Sequence, residues 1–474
     1  MARTSLTTDY QKNSVGLRSR LRVDKCFDIV EKPLEVAGRP ASLFFVDGFA
    51  KDEVMEKILE FWMKAKTEEI DALDTPEAFA RKYVSYVETD TEGDFDKIVT
   101  SVLSGMLALL VDGYDKAILL DARTYPSRGV EEPDDDRVLR GSRDGFVETL
   151  VFNTALIRRR IRDPRLTMEI LQVGRQSKTD VVLCFLEGTA NPKILDTMRK
   201  RIKNITIDAL AMSQESLAEC LIKKQWYNPF PRVRYTERPD AAAACVLEGK
   251  ILVLVDNSPS VMILPTALFD FGQDTNDFYF PPLVGTYLRL VRILVFAITL
   301  LLTPVWYLLI QNPEWIPSWL SFIQIEEPNS VPVIAQLLII EFVIDGLKLA
   351  SLNTPNVLSN SFSVVGALIL GDFAVQAKWF VPEVVLYMAF VAIANFTQPS
   401  FELGYAFKLF RVIILILTAL LNVWGFAAGI LLMLLTAAST KTITGRNYLF
   451  PLIPFNGKAF VSLFLRRPIS RKNS

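Results

Sequence analysis

Short apolar runs separated by turn residues fill the chain as far as residue 280, and long uninterrupted apolar stretches fill it afterwards. Ala41–Leu59 reads ASLFFVDGFAKDEVMEKIL and Val181–Met198 reads VVLCFLEGTANPKILDTM. Each opens on an apolar run, passes an acidic residue with glycine (Asp47-Gly48, Glu187-Gly188) and then Ala50 or Ala190, and continues with helical spacing. That order predicts a buried strand, a turn that glycine permits, and a helix packing back on the sheet. A second pair begins at Val111 (VDGYDKAILLDARTYPSR) and Leu247 (LEGKILVLVDNSPSVMILP), each placing an acidic-Gly pair before a short apolar run and an aspartate, Asp121 or Asp256. The glycines are offset by 140 residues in the first pair and 136 in the second. The pattern predicts an α/β region of two related subdomains, 20–140 and 145–275, behind a tail at 1–19.

The apolar half predicts an all-α, multi-pass membrane domain over 283–437. Leu283–Gln311 is the first span, with Arg289 and Arg292 near its start and Trp306, Tyr307, Trp315 and Trp319 near its end as an aromatic belt. Val331–Leu352, Pro382–Thr397 and Leu409–Leu435 follow, and Ser361–Ala377 is a further short apolar segment. Lys441, Arg446, Lys458, Arg466, Arg467, Arg471 and Lys472 make 438–474 a basic tail, which the positive-inside rule places in the cytoplasm. Five spans cannot leave both ends on one side. One segment must stop short, and 361–377 is the expected re-entrant stretch, tolerated at depth only where protein or water covers its backbone.

Charge sharpens the division. Residues 1–280 hold 39 of the 52 Lys+Arg and 45 of the 53 Asp+Glu, whereas residues 281–474 carry 13 and 8. The N-terminus has no apolar run of the kind a secretory signal needs, so the first region is expected in the cytoplasm. Cys26, Cys184, Cys220 and Cys245 show no CxxC or metal spacing and are expected to be packed thiols. The chain has no histidine, which removes the commonest metal ligand and general base together. No metal, cofactor or catalytic residue is expected, and no GxGxxG or phosphate loop invites a nucleotide. The βα turns are expected to be structural, since Asp47 and Glu187 would repel an anion drawn to a helix N-terminus.

Two clusters remain as candidate sites. Gly145–Ile161 fits an amphipathic helix ending among Arg158, Arg159, Arg160, Arg162 and Arg165, with Arg143 just before it and an acidic run at 131–136. Basic residues without interleaved aromatics argue against nucleic acid. Pairing between subdomains or subunits is the first reading, and contact with anionic lipid headgroups is the second. Within the membrane region, Glu341, Asp345 and Lys348 share one face of an apolar helix, and Asp372, Asn395 and Gln398 are polar in later segments. Charges there must meet a partner or water. A closed pair of Lys348 with Glu341 or Asp345 is one reading; a ring of acidic groups attracting cations in an oligomer is the other.

Gly141–Leu166 (GSRDGFVETLVFNTALIRRRIRDPRL), Thr236–Asp240 (TERPD) and Val365–Gly371 (VGALILG) together resemble the GerA spore-germination family over nearly the whole chain. Pro265–Phe280 (PTALFDFGQDTNDFYF) looks more like a sporulation-stage branch of that family than like its nutrient-receptor A subunits. The resemblance implies homo-oligomers, pentamers in particular, that conduct ions in the inner spore membrane beside a small multi-pass partner and other germination proteins. A receptor subunit that senses or relays a small-molecule germinant is the alternative. A membrane enzyme has no nucleophile–base pair to stand on, and a secondary transporter lacks an inverted repeat.

Overall fold

The computed structural model describes residues 5–50, 52–68, 73, 75–84, 88–123, 141–222, 226–273, 276–326, 331–353, 376–443 and 445–465. It divides into an N-terminal unit, Met1–Lys224 with Val233–Pro265, and a helical unit, Gln225–Arg232 with Thr266–Ser474.

In the N-terminal unit, β1 (Ile29–Val36), β2 (Arg39–Val46), β4 (Leu107–Val111), β5 (Ala117–Asp121) and β3 (Glu88–Glu92) form an antiparallel sheet in that spatial order. Helices cover both faces. Leu43 and Leu109 meet Trp62 of α2 (Asp52–Met63) and Phe79 of α3 (Pro76–Tyr83) on one face. Phe44 and Leu110, next along the same strands, meet Leu17 of α1 (Tyr10–Leu21) and Ile98 of α4 (Phe95–Leu103) on the other. A strand buried on both sides needs apolar residues at successive positions, which is why LALLV reads as a run rather than an alternation. Strands and helices fill the region as expected, and every strand pairing among the described residues is antiparallel. The expected tail is corrected: α1 begins at Tyr10, and Leu17 and Leu21 are fully buried, so most of 1–19 belongs to the first subdomain.

The second sheet repeats the first, with order β6 (Leu166–Val173), β7 (Thr179–Leu186), β9 (Ile251–Val255), β10 (Val261–Leu264), β8 (Arg234–Thr236). Its helices are α5 (Leu150–Arg160), α6 (Pro192–Lys203), α7 (Ser213–Leu221) and α8 (Pro239–Leu247). Gly48 and Gly188 lie at φ 80° and 83° in equivalent turns. The second sequence match is out of register by one strand. It aligned β5 with β9, whereas the sheet order makes β4 the counterpart of β9. Gly105 (φ 102°), not Gly113, is therefore the partner of Gly249 (φ 89°), at an offset of 144. Side chains confirm the new register: Asp112 accepts from Tyr10 N at the start of α1, and Asp256 accepts from Leu150 N at the start of α5. Gly113 misled because the β4–β5 turn carries its own acidic-Gly pair, Asp112-Gly113, ahead of an apolar strand.

The helical unit holds α9 (Pro282–Gln311), α10 (Val333–Asn353), α11 (Pro382–Phe396), α12 (Phe401–Ser439) and α13 (Gly457–Phe464). By length and composition α9 and α12 are long and apolar enough to cross a membrane. Their sequences explain the helices: Leu-rich runs, with Pro282 in the first turn of α9 where its missing N–H costs nothing. Arg289 and Arg292 do not face outward at an edge. Both are buried and donate to the buried carboxylate of Asp277, at 3.1 Å from Arg289 Nε and 2.6 Å from Arg292 Nη2.

α12 is not one rod. Asn422 has φ 51° and ψ −128°, and the chain reverses there. A Cβ placed on Gly429 would lie 2.8 Å from Ile414 Cγ1. Along a straight helix those residues would stand about 22 Å apart. Gly425 meets the Leu417 carbonyl too closely for any side chain, the use of small residues that lets two helix backbones touch. The segment 409–435, expected as one span, is thus part of two antiparallel arms, 401–421 and 423–439. The chain also leaves α10 at its far end and resumes α11 beside α10's beginning, where Val381 N donates to Gln336 Oε1 at 2.8 Å. Residues 361–375 of the expected re-entrant stretch lie outside the described residues, as does the tail from 466.

Candidate functional site

Four ionisable side chains meet between α10 and the first arm of α12. Glu341 Oε1 accepts from Arg411 Nη2 at 2.6 Å and lies 2.9 Å from Lys408 Nζ, and Asp345 pairs with the same lysine. Glu341, Lys408 and Arg411 are buried, Arg411 almost completely. Two carboxylates pair with two cations here, which is how apolar helices can hold the four charges, and Lys348 stands within electrostatic reach of them. Arg411 Nη1 also donates to the Thr299 carbonyl of α9 at 2.5 Å, and Gln398 Nε2 donates to Thr299 Oγ1 at 2.7 Å. The quartet therefore ties α9, α10 and α12 to the segment after α11. Gln398 Oε1 and Thr303 Oγ1 are buried with no hydrogen-bond partner among the described residues.

The sequence singled out the acidic half of this cluster and not the basic half. Lys408 and Arg411, at the start of the apolar segment 409–435, sit inside the bundle. Their i, i+3 spacing opposite the i, i+4 spacing of Glu341 and Asp345 is the signal that could have paired them. Lys408 and Arg411 of α12 form ion pairs with Glu341, and the Lys348 ammonium stands 5.4 Å from the centre of the Tyr405 ring, within electrostatic reach of Glu341 and Asp345. Asn395 is buried beside Gly404, where an added Cβ would lie 3.0 Å from its Oδ1. Asp372 lies outside the described residues.

In the N-terminal unit the basic cluster divides. Arg158 is fully buried and donates to both oxygens of Asp28, 2.9 and 3.1 Å away in the first subdomain, and to the Leu166 carbonyl at 3.0 Å. Burial works against its charge, but Asp28 outweighs burial and holds the guanidinium protonated above its ordinary range. Arg160 instead closes locally on Asp144. Burial raises the Asp144 pKa, yet the hydrogen bond from Arg160 wins and leaves it lowered. Arg143, Arg159 and Arg162 are exposed. Two of the sequence motifs meet here. Phe146 N donates to the Glu237 carbonyl, and Arg238 is held by Asp240 and the Ser142 carbonyl. Both are thus structural in the second subdomain. Cys184 and Cys26 are buried, and burial pushes both thiols up; Cys245 is half-buried and Cys220 exposed, so the expectation of four packed thiols is corrected to two, the other two lying where their helices meet solvent. A groove of about 760 Å³ opens between the subdomains, bordered by Arg22, Lys25, Glu187, Phe185, Leu195 and Arg199. Glu187 at its edge pairs with Arg22 of the other subdomain.

A family model for the Bacillus/Clostridium GerA spore germination protein matches residues 17–474. The chain is 36% identical to stage V sporulation protein AF of Bacillus subtilis (strain 168), over 96% of this chain and 92% of that protein. It is 32% identical to spore germination protein KA of the same organism, over 80% of this chain and 69% of that protein. Against spore germination protein A1 the identity is 30%, over 79% of this chain and 78% of that protein. Among solved structures it is similar to the N-terminal domain of the A subunit of the Bacillus megaterium spore germinant receptor GerK3. That match has 26% identity and a TM-score of 0.44, and it covers 56% of this chain and 98% of that one. By the extent of the family match and of the sequence identity to stage V sporulation protein AF, the chain belongs to the GerA family of spore germination proteins.

Proposed function

We propose that the chain is an ion-conducting component of the spore-germination apparatus, working as a homo-oligomer in the inner spore membrane and not as an enzyme. The observation that carries this reading is the quartet. Each charge at the centre of a membrane helix costs at least about 2.5–3.5 kcal/mol. Well-packed apolar side chains of similar volume would hold the same helices as well or better. Charges kept at that cost fit a bundle that changes its internal contacts. In this reading the quartet is a closed lock and not a ring of free acids. Both cations engage Glu341, whereas Asp345 keeps 35% of its side chain open. With the α12 hairpin counted as two, the sequence has six apolar segments, which would return both ends to one side. Lys441, Arg446 and Lys458 favour the core side for those ends. The homo-oligomer, the small multi-pass partner and the inner-membrane location rest on family membership.

Planar bilayers containing the purified chain, with and without a co-expressed small multi-pass germination protein, test the reading. Cation conductance that changes several-fold in Asp345→Asn supports it; silent bilayers in both preparations overturn it. The groove between the subdomains favours a second reading, a receptor A subunit that senses or relays a small-molecule germinant. Calorimetry of the full chain with amino acids and sugars separates the two. Saturable heat would favour the receptor.

A further inference from the structure

The N-terminal unit is interrupted in sequence. Between Lys224 and Val233 the chain leaves it, and Gln225–Arg232 belongs to the helical unit. This excursion is nailed down at three points. Asn228 Nδ2 donates to Thr440 Oγ1 at 2.7 Å, just past the end of α12. Phe230 is buried, stacked 5.2 Å from the Phe410 ring. Tyr448 OH donates to the Pro231 carbonyl at 2.6 Å. At the head of this fixed loop two aromatics point away from the bundle: Trp226 is 97% exposed and Tyr227 62%, their rings edge to face at 6.2 Å.

A rigid mount that holds a Trp–Tyr pair clear of the protein needs an environment for them. Thr440 caps the second arm of α12, so Asn228, two residues after Trp226, fixes the loop that carries the pair to that helix end. Two lysines, Lys223 and Lys224, immediately precede it in sequence. Trp and Tyr rings with neighbouring cations are the side chains that settle among lipid headgroups, with apolar ring faces in the acyl boundary and polar tips in water. We infer that Trp226 and Tyr227 form an interfacial anchor, docking the excursion into the headgroup layer of an anionic bilayer. The anchor would hold the chain at that surface on both sides of a loop that interrupts the N-terminal unit. Its partner is lipid, and no second protein is needed to cover it.

Fluorescence of the full chain in phosphatidylcholine–phosphatidylglycerol vesicles tests this, read as the difference between wild type and Trp226→Phe. The site is almost fully exposed, so the variant is expected to fold. The Trp226 component should be quenched about twofold or more strongly by phosphatidylcholine spin-labelled at the headgroup than by lipid labelled at the chain end, the depth of an interfacial aromatic. Aqueous iodide should reach it weakly. Strong iodide quenching with no response to either lipid label would overturn the anchor, as would shielding from all three quenchers, which would place a protein there. Failure of either kind leaves the conductance reading untouched, because that reading is measured on the bilayer current.

Discussion

The side-chain amides of Asn312 and Asn422 exchange two hydrogen bonds, 2.7 and 3.1 Å long, and join the end of α9 to the tip of the α12 hairpin. Two amides that satisfy each other are worth most where water is scarce. Here they fix the level at which the chain turns back. The backbone at Asn422, φ 51° with ψ −128°, lies outside the left-handed helical region that Asn tolerates, so the surrounding contacts must hold it there.

That turn makes a distance measurement decisive. Spin labels at Leu409→Cys and Leu435→Cys, equidistant from Asn422, should sit close together across the hairpin, helix axes being about 8–10 Å apart. A continuous helix would separate the two sites by about 39 Å. Pulsed electron resonance on a background lacking the four native cysteines reads the difference. Gly425→Leu should move the pair apart, because the Leu417 carbonyl leaves no room for a side chain.

Arg158 and Asp28 lock the two subdomains through a pair that is buried on both sides. Asp28→Asn should cost about 3–5 kcal/mol, since it strands a buried guanidinium. The double replacement Asp28→Leu with Arg158→Met should recover much of that loss. Chemical denaturation of wild type, Asp28→Leu, Arg158→Met and the double variant closes the cycle that gives the coupling.

The quartet should respond in the same asymmetric way. Glu341→Gln leaves Arg411 and Lys408 with one carboxylate between them, and a fall of about 3–5 kcal/mol in detergent unfolding is expected. Lys408→Met combined with Asp345→Leu removes one charge of each sign and should be milder. If the single and double variants unfold alike, the four groups are not coupled.

Glu77 supplies an acid-sensitive clamp on the outer face of the first subdomain. Hydrogen bonds from Lys116 and Thr91 hold its carboxyl down to about 2, from an ordinary 4.5. Because the folded value lies below the unfolded one, the stabilisation is complete above about 4.5 and disappears as pH falls towards about 2. The melting-temperature gap between wild type and Glu77→Gln should therefore be constant at neutral pH and close across that window. The effect should be small, since the Lys116–Glu77 pair is largely exposed.

Much of this protein was legible from its residues. Apolar runs with glycine turns marked the strands, and the change in charge density near residue 280 marked the two regions, because burial and solvation act on each residue locally. The kinship lay in contiguous motifs. What sequence could not decide were matters of direction and partnership. LILTALLNVWGFAAG is equally apolar whether it runs straight or folds back at Asn422; only helix-on-helix contact at Gly425 and Gly429 chose the hairpin. Lys408 and Arg411 find their partners only when α10 is laid beside them. Gly113 and Gly105 compete as partners of Gly249 until strand order settles the repeat. Local chemistry is written along the chain, but which charges neutralise one another depends on helices brought together from segments some 70 residues apart.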